Sequence, residues 1–208
     1  MYLFSRSTIA ALGKQPDAFA GAVAIAERVS GIIDLEVNVF TTRFGGPLGT
    51  LTWSMVVESM DHVQANNDKL MADAGYLEAL EGMTDLIMAP AEDALARIIT
   101  PPAEREISRF YGVTNASMAD GQFGPAMEFG VKMADYLTNT QNTQTVFLKA
   151  GYGGFADVAW LLAFDSTEEI DAFDEFQMSD AGYHSMLEET AGLFASGSGH
   201  TVLLEKLN

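Results

Sequence analysis

Cysteine is absent from the 208 residues, which excludes disulfides, thiolate metal sites and a cysteine nucleophile. Basic residues are scarce, 11 Lys and Arg against 29 Asp and Glu, for a net charge of −18. A surface of that sign repels phosphate backbones and anionic headgroups, so neither nucleic acid nor a membrane is an expected partner. Histidine occurs only as His62, His184 and His200. None sits in a ligand spacing such as H-E-x-x-H, so no metal site is expected. No uncharged apolar run approaches the roughly 20 residues of a membrane span. The longest, near Val158–Phe164, is strand-sized. Residues Met1–Arg6 lack a basic region followed by an apolar core, so no secretory signal is expected and a cytoplasmic location follows by default.

What the chain does contain is itself, twice. Met71-Ala72-Asp73-Ala74-Gly75-Tyr76 returns as Met178-Ser179-Asp180-Ala181-Gly182-Tyr183, 107 residues later, and the same offset lays Trp53 on Trp160, the only two tryptophans. Phe44-Gly45-Gly46 matches Tyr152-Gly153-Gly154 at 108, Ala22–Ile33 lies over Ala126–Leu137 at 104, and Ser5-Arg6 is matched to Ser108-Arg109 at 103. Offsets that drift only at turns are what duplication followed by loop editing leaves. The expected organisation is a repeat over 1–100, a linker over 101–105 at Pro101-Pro102, and a second repeat over 106–208.

Each half reads the same way. Residues 2–10 alternate as a strand, and Asp17 can cap a helix whose apolar positions Phe19, Val23, Ala26, Val29 and Ile33 keep helical spacing. Leu35, Val37 and Val39 alternate as a second strand, and Leu51, Trp53, Met55 and Val57 line one face of a third. A helical region follows over about 60–88, bent where Asp73 caps its second part, and a last strand lies near 93–99. The second half places strands to about 115 and over 143–150, 155–164 and 200–207, with helices over 121–137 and 167–195.

The order β-α-β-β-α-β is the ferredoxin-like arrangement, an antiparallel sheet with helices on one face. Its other face must find a partner, and two units in one chain can cover each other. With its Gly-Pro-Leu-Gly turn before a tryptophan-bearing strand and its Asp-Ala-Gly-Tyr helix bend, the sequence resembles the dimeric α/β-barrel superfamily, in particular NIPSNAP-like and antibiotic-biosynthesis-monooxygenase-like proteins in tandem form. The resemblance implies an α+β fold of two ferredoxin-like repeats packed as an intramolecular pseudo-dimeric barrel. It implies a small-molecule protein, a cofactor-independent oxygenase or cyclase on an aromatic or polyketide-like substrate, with a non-catalytic binding or assembly module as the alternative. Haem-degrading members carry a histidine further along the second helix, a position that falls here near Met186, with Ala79 in the first half. No cofactor is therefore expected, and the chain is expected as a monomer or homodimer.

The candidate site residues come in pairs. Trp53 and Trp160 could wall a cavity between sheet and helices, or pack as core with their indole N–H on a backbone acceptor. Tyr76 and Tyr183, at the helix bend, could hydrogen-bond a ligand or handle a proton, or simply pack over the glycine. Arg6 and Arg109 alternate with aromatic strand residues, where a guanidinium is costly unless paired. Either an anionic ligand meets it or a salt bridge does, to Glu36, Asp157 or another strand acid. His184, beside Tyr183, is the candidate general base or haem ligand, or else a solvated surface histidine, and the expected proton-handling group is Tyr183 or His184 with Arg109 as anion anchor. Glu168, Glu169, Asp171, Asp174 and Glu175 read as a solvated helix face.

Overall fold

The computed structural model describes residues 1–100, 107–141, 144–152 and 154–208, so the expected linker at 101–105 and Gly153 lie outside it. In chain order the elements are β1 (Tyr2–Ile9), α1 (Gln15–Ile33), β2 (Asn38–Phe44), β3 (Thr50–Val57), α2 (Met60–Met71), α3 (Ala74–Gly82) and β4 (Glu92–Ile98). The order then repeats as β5 (Phe110–Ser117), α4 (Phe123–Gln141), β6 (Thr145–Tyr152), β7 (Asp157–Phe164), α5 (Thr167–Ser179), α6 (Ala181–Glu188) and β8 (His200–Lys206). β1 pairs with β3 and β4, and β3 with β2; β7 pairs with β5 and β6, all antiparallel. The fold class expected from the sequence, α+β with two ferredoxin-like βαββαβ repeats, is the one the chain adopts.

Four local readings need correction. Helix α1 starts at Gln15 rather than behind an Asp17 cap, because Pro16 sits where its missing N–H costs nothing; Asp17 instead lies in the first turn, against the positive end of the dipole. Strand β2 begins at Asn38, after Leu35 and Val37. The helical region ends at Gly82 instead of near Met88. Arg109 precedes β5, which starts at Phe110, and its match to Arg6 fails. Arg6 pairs across the ladder with Trp53, whereas Trp160 pairs with Thr114, so the strand offset is 108 and Arg6 corresponds to Thr114. A two-residue Ser-Arg match cannot set a register that eight ladder partners decide.

Two compact units emerge, Met1–Arg97 with Leu204–Asn208, and Ile98–Leu203. In the first, the chain end joins β2: the Leu207 N–H donates to the Val39 carbonyl at 2.8 Å, and the Asn208 amide brackets Val39 N–H and Val37 C=O, each at 2.9 Å. Glu205, buried, pairs with Arg43. In the second, the Ile99 N–H donates to the Phe147 carbonyl at 2.9 Å, and the Thr114 and Thr201 hydroxyls hydrogen-bond at 3.0 Å. That bond is the counterpart of an Arg6–Asp93 pair in the first unit, which aligns His200 with Glu92.

The Asp-Ala-Gly-Tyr repeat has a local cause. Asp73 caps α3 by accepting the Tyr76 N–H at 2.7 Å and also holds Arg28 Nη2 at 2.6 Å. Asp180 caps α6 through the Tyr183 N–H at 2.7 Å and accepts the Tyr136 hydroxyl at 2.5 Å. A Cβ at Gly75 would lie 2.0 Å from Arg28 Nη2, and one at Gly182 would lie 2.3 Å from Tyr136 Oη, so glycine leaves room for each cap's second donor. Those donors hold both carboxyls below their ordinary 3.8, Arg28 first and the Tyr76 N–H next for Asp73, and Tyr136 first and the Tyr183 N–H next for Asp180. Since the folded values lie below the unfolded ones, this stabilisation is present above 3.8 and disappears as pH falls through the lowered values. The expected result is a melting temperature that drops as the pH is taken below the ordinary 3.8 of these carboxyls. A Asp73→Asn, Asp180→Asn double variant, which keeps cap-competent side chains, should show a distinctly shallower drop. Parallel acid profiles of the two proteins would refute this.

Candidate functional site

The first unit has a partly open cavity of about 540 Å3 between its sheet and its three helices. Phe4, Arg6 and Thr8, alternate residues of β1, share one sheet face with Trp53 and Met55 of β3. Ile25 and Val29 of α1 line it, as do Val63, Asn66 and Leu70, one stripe of α2, together with Tyr76 and Leu80 of α3. The volume falls in the range of small-molecule sites, and the walls are largely apolar with few polar groups, the usual composition of such sites.

Thr8, Ser54, Gln64 and Asn67 also line the cavity, and three further polar features there bear on its chemistry. Arg6 makes a two-pronged pair with Asp93 of β4, Nε to Oδ1 and Nη2 to Oδ2, both at 2.7 Å. The two side chains remain 38% and 47% exposed, which places them at the rim. Asp93, chiefly by hydrogen bonding, and then the Tyr76 hydroxyl hold the Arg6 guanidinium more firmly protonated than usual, against the opposing effect of burial. Tyr76 itself is buried. The third feature is Asn66, 1% exposed, whose Oδ1 and Nδ2 both lack a hydrogen-bond partner.

The sequence reading's residues therefore separate. Arg6, Trp53 and Tyr76 come together around the cavity, with Arg6 answered by a strand acid, Asp93, that the sequence reading left unnamed. The Trp53 indole N–H donates to the Ala22 carbonyl at 2.9 Å while its ring forms wall. Trp160, Tyr183, His184 and Arg109 belong to the second unit and do not line this cavity. The His184 imidazole Nε2 is engaged with the Gln177 carbonyl at 2.9 Å, and the Tyr183 hydroxyl accepts the Gln177 side-chain amide at 2.7 Å. The Arg109 guanidinium lies over the Phe110 ring, 4.9 Å from its centroid.

The two repeats carry different side chains at the positions that line the first unit's cavity. Ile25, Val39, Asn66 and Ile87 correspond to Phe129, Phe147, Phe173 and Phe194. In the second unit these rings pack on one another: Phe147 stacks on Trp160 at 5.2 Å, Phe129 and Phe194 meet Trp160 edge-on at 6.4 and 5.7 Å, and Phe173 lies 5.5 Å from Phe164. Asn66 was missed because asparagine in a helix reads as surface. The signal was its place in Val63-x-x-Asn66-x-x-x-Leu70, on the apolar stripe, opposite a phenylalanine in the other repeat.

No family model matches this chain, and no curated protein matches it. Solved structures do. A monooxygenase candidate from Lactobacillus acidophilus aligns over 100% of this chain and 94% of its own, with a TM-score of 0.70 at 9% identity. A second such candidate, from Fusobacterium nucleatum, aligns over 100% and 92% with a TM-score of 0.73 at 8% identity. An anthrone oxidase-like protein aligns over 100% and 93% with a TM-score of 0.61 at 12% identity. At these identities the likeness is one of fold.

Proposed function

We propose that the protein binds an apolar, ring-bearing small molecule in the first unit's cavity and acts on it as a cofactor-independent oxygenase or cyclase. The observation that supports binding most directly is the cavity of about 540 Å3 itself, largely apolar and edged by the Arg6–Asp93 pair and Tyr76. The chemical half of the reading rests on the fold shared with two monooxygenase candidates and an anthrone oxidase-like protein.

The rim chemistry fits such a reaction. A carbonyl-activated C–H becomes acidic when positive charge meets the enolate oxygen, and Arg6, with the Tyr76 hydroxyl beside it, supplies that charge at the cavity. Asp93 is the neighbouring carboxylate for the departing proton. With dioxygen as co-substrate, an anthrone-type methylene would become a ketone with release of one water. Proton handling is assigned to this set rather than to Tyr183 and His184, which lie in the other unit.

The test is calorimetric binding of naphthalene-sized and anthrone-sized aromatics, with oxygen uptake followed on anthrone. Asn66→Phe, which copies Phe173 of the second repeat, is expected to fill the cavity and weaken binding about 100-fold or more while the protein stays folded. Binding without oxygen uptake would leave a binding module. Binding unchanged by Asn66→Phe would remove the cavity from the proposal.

A further inference from the structure

Arg6 and Asp93 deepen the reading of that cavity. Among the described residues that line it they are the only charged ones, one of each sign. The guanidinium gives Nε and Nη2 to the two oxygens of one carboxylate, both at 2.7 Å, so an anion is already seated on it in two-pronged geometry. Asp93 is also the first cause of the firm protonation of Arg6. A second anion would have to displace Asp93 or share its guanidinium, and sharing sets two negative charges side by side. The chain's net charge of −18 adds to that repulsion at longer range. An uncharged carbonyl meets neither obstacle. Asp93 takes two of the five guanidinium N–H groups, and a neutral acceptor can share the cation without dislodging it.

We infer that the cavity takes uncharged, ketone-bearing ring molecules and rejects their carboxylate counterparts, and that Asp93, as the resident counter-ion of Arg6, sets this selectivity. Arg6 by itself would favour a carboxylate, the two-oxygen anion that matches its fork. The proton step of the proposed reaction calls for the same charge state. A C–H proton passes to an Asp93 oxygen, the C–H electron pair stays on the substrate, and the negative charge moves from Asp93 to the enolate oxygen. Arg6 thereby exchanges one counter-ion for another and is never left unpaired. This inference rests on the cavity being a ligand site, so the experiment separates the two.

Two probes of nearly equal shape are compared by calorimetry on the full chain at neutral pH: 2-acetylnaphthalene, an uncharged ketone, and 2-naphthoate, its carboxylate counterpart. Wild type is expected to bind the ketone about tenfold or more tighter, the size of one charge-assisted hydrogen bond. Asp93→Asn keeps the size of the side chain and removes its charge, and the partial exposure of the pair, 38% and 47%, means that the change costs little stability. In that variant naphthoate should gain about tenfold or more, while the ketone stays within about threefold. Adding Arg6→Gln to Asp93→Asn should erase the naphthoate gain, which a general loosening of the rim would not do. Wild type that binds naphthoate as tightly as the ketone overturns the inference and leaves the cavity reading intact. So does a naphthoate affinity untouched by Asp93→Asn, or a gain that survives the loss of Arg6. No binding of either probe by any of the three proteins overturns the cavity reading and this inference together.

Discussion

Gly130→Ala is expected to destabilise the protein by about 2 kcal/mol net, although alanine is the better helix former by about 1 kcal/mol. Gly130 lies inside α4, and a Cβ there would stand 2.0 Å from Phe147 Cζ and 2.4 Å from both Cε atoms. The ring cannot swing aside, because Phe147 is fully buried and stacked on Trp160 at an interplanar angle of 30°. Overpacking of a closed core is relieved only by shifting neighbours, at a cost of about 1–3 kcal/mol or more. The other repeat shows the compatible solution: Ala26 stands where Gly130 does, and Val39 stands where Phe147 does. Phe147→Val alone leaves a void and should cost about 2–4 kcal/mol, judged by other large-to-small core changes. The Gly130→Ala, Phe147→Val double variant should cost less than the sum of the singles, with a coupling of about 1 kcal/mol or more. Urea unfolding midpoints of the four proteins provide the cycle. A Gly130→Ala midpoint at or above wild type, or strict additivity, would contradict the packing described.

Asn66→Leu carries the second large effect, and its sign is opposite. Removing two buried polar atoms that have no partner should raise stability by about 2 kcal/mol, which for a chain of this length is roughly 4–8 °C in melting temperature. The helix should gain slightly as well, since leucine is a better helix former than asparagine. Such a gain from a single substitution is typical of positions kept for function at the expense of stability. Differential scanning calorimetry without ligand decides it. A lower melting temperature for Asn66→Leu would mean that the amide is satisfied in solution and that the cavity's polar wall is structural.

The repeat made the architecture legible. Trp53 on Trp160 and the Asp-Ala-Gly-Tyr bends located strands, helices and caps in both halves, because these depend on local chemistry: alternation, capping carboxylates, and glycine where a second donor must approach. The same local logic failed for Arg109. Its dipeptide likeness to Arg6 said nothing about ladder register, which Trp53 and Trp160 impose from neighbouring strands.

The sequence by itself determined the duplication, the α+β class and the acidic surface, each a property of composition and short-range pattern. Only the tertiary structure decided that Ile25, Trp53 and Tyr76 meet around one cavity of the first unit, and that Asp93 is the partner of Arg6. Burial is a sum over residues distant in the chain, and the exchanges to phenylalanine between the repeats acquire meaning only when Phe129, Phe147 and Phe194 are seen packed on Trp160 and Phe173 on Phe164, while Ile25, Asn66 and Ile87 line the first unit's cavity.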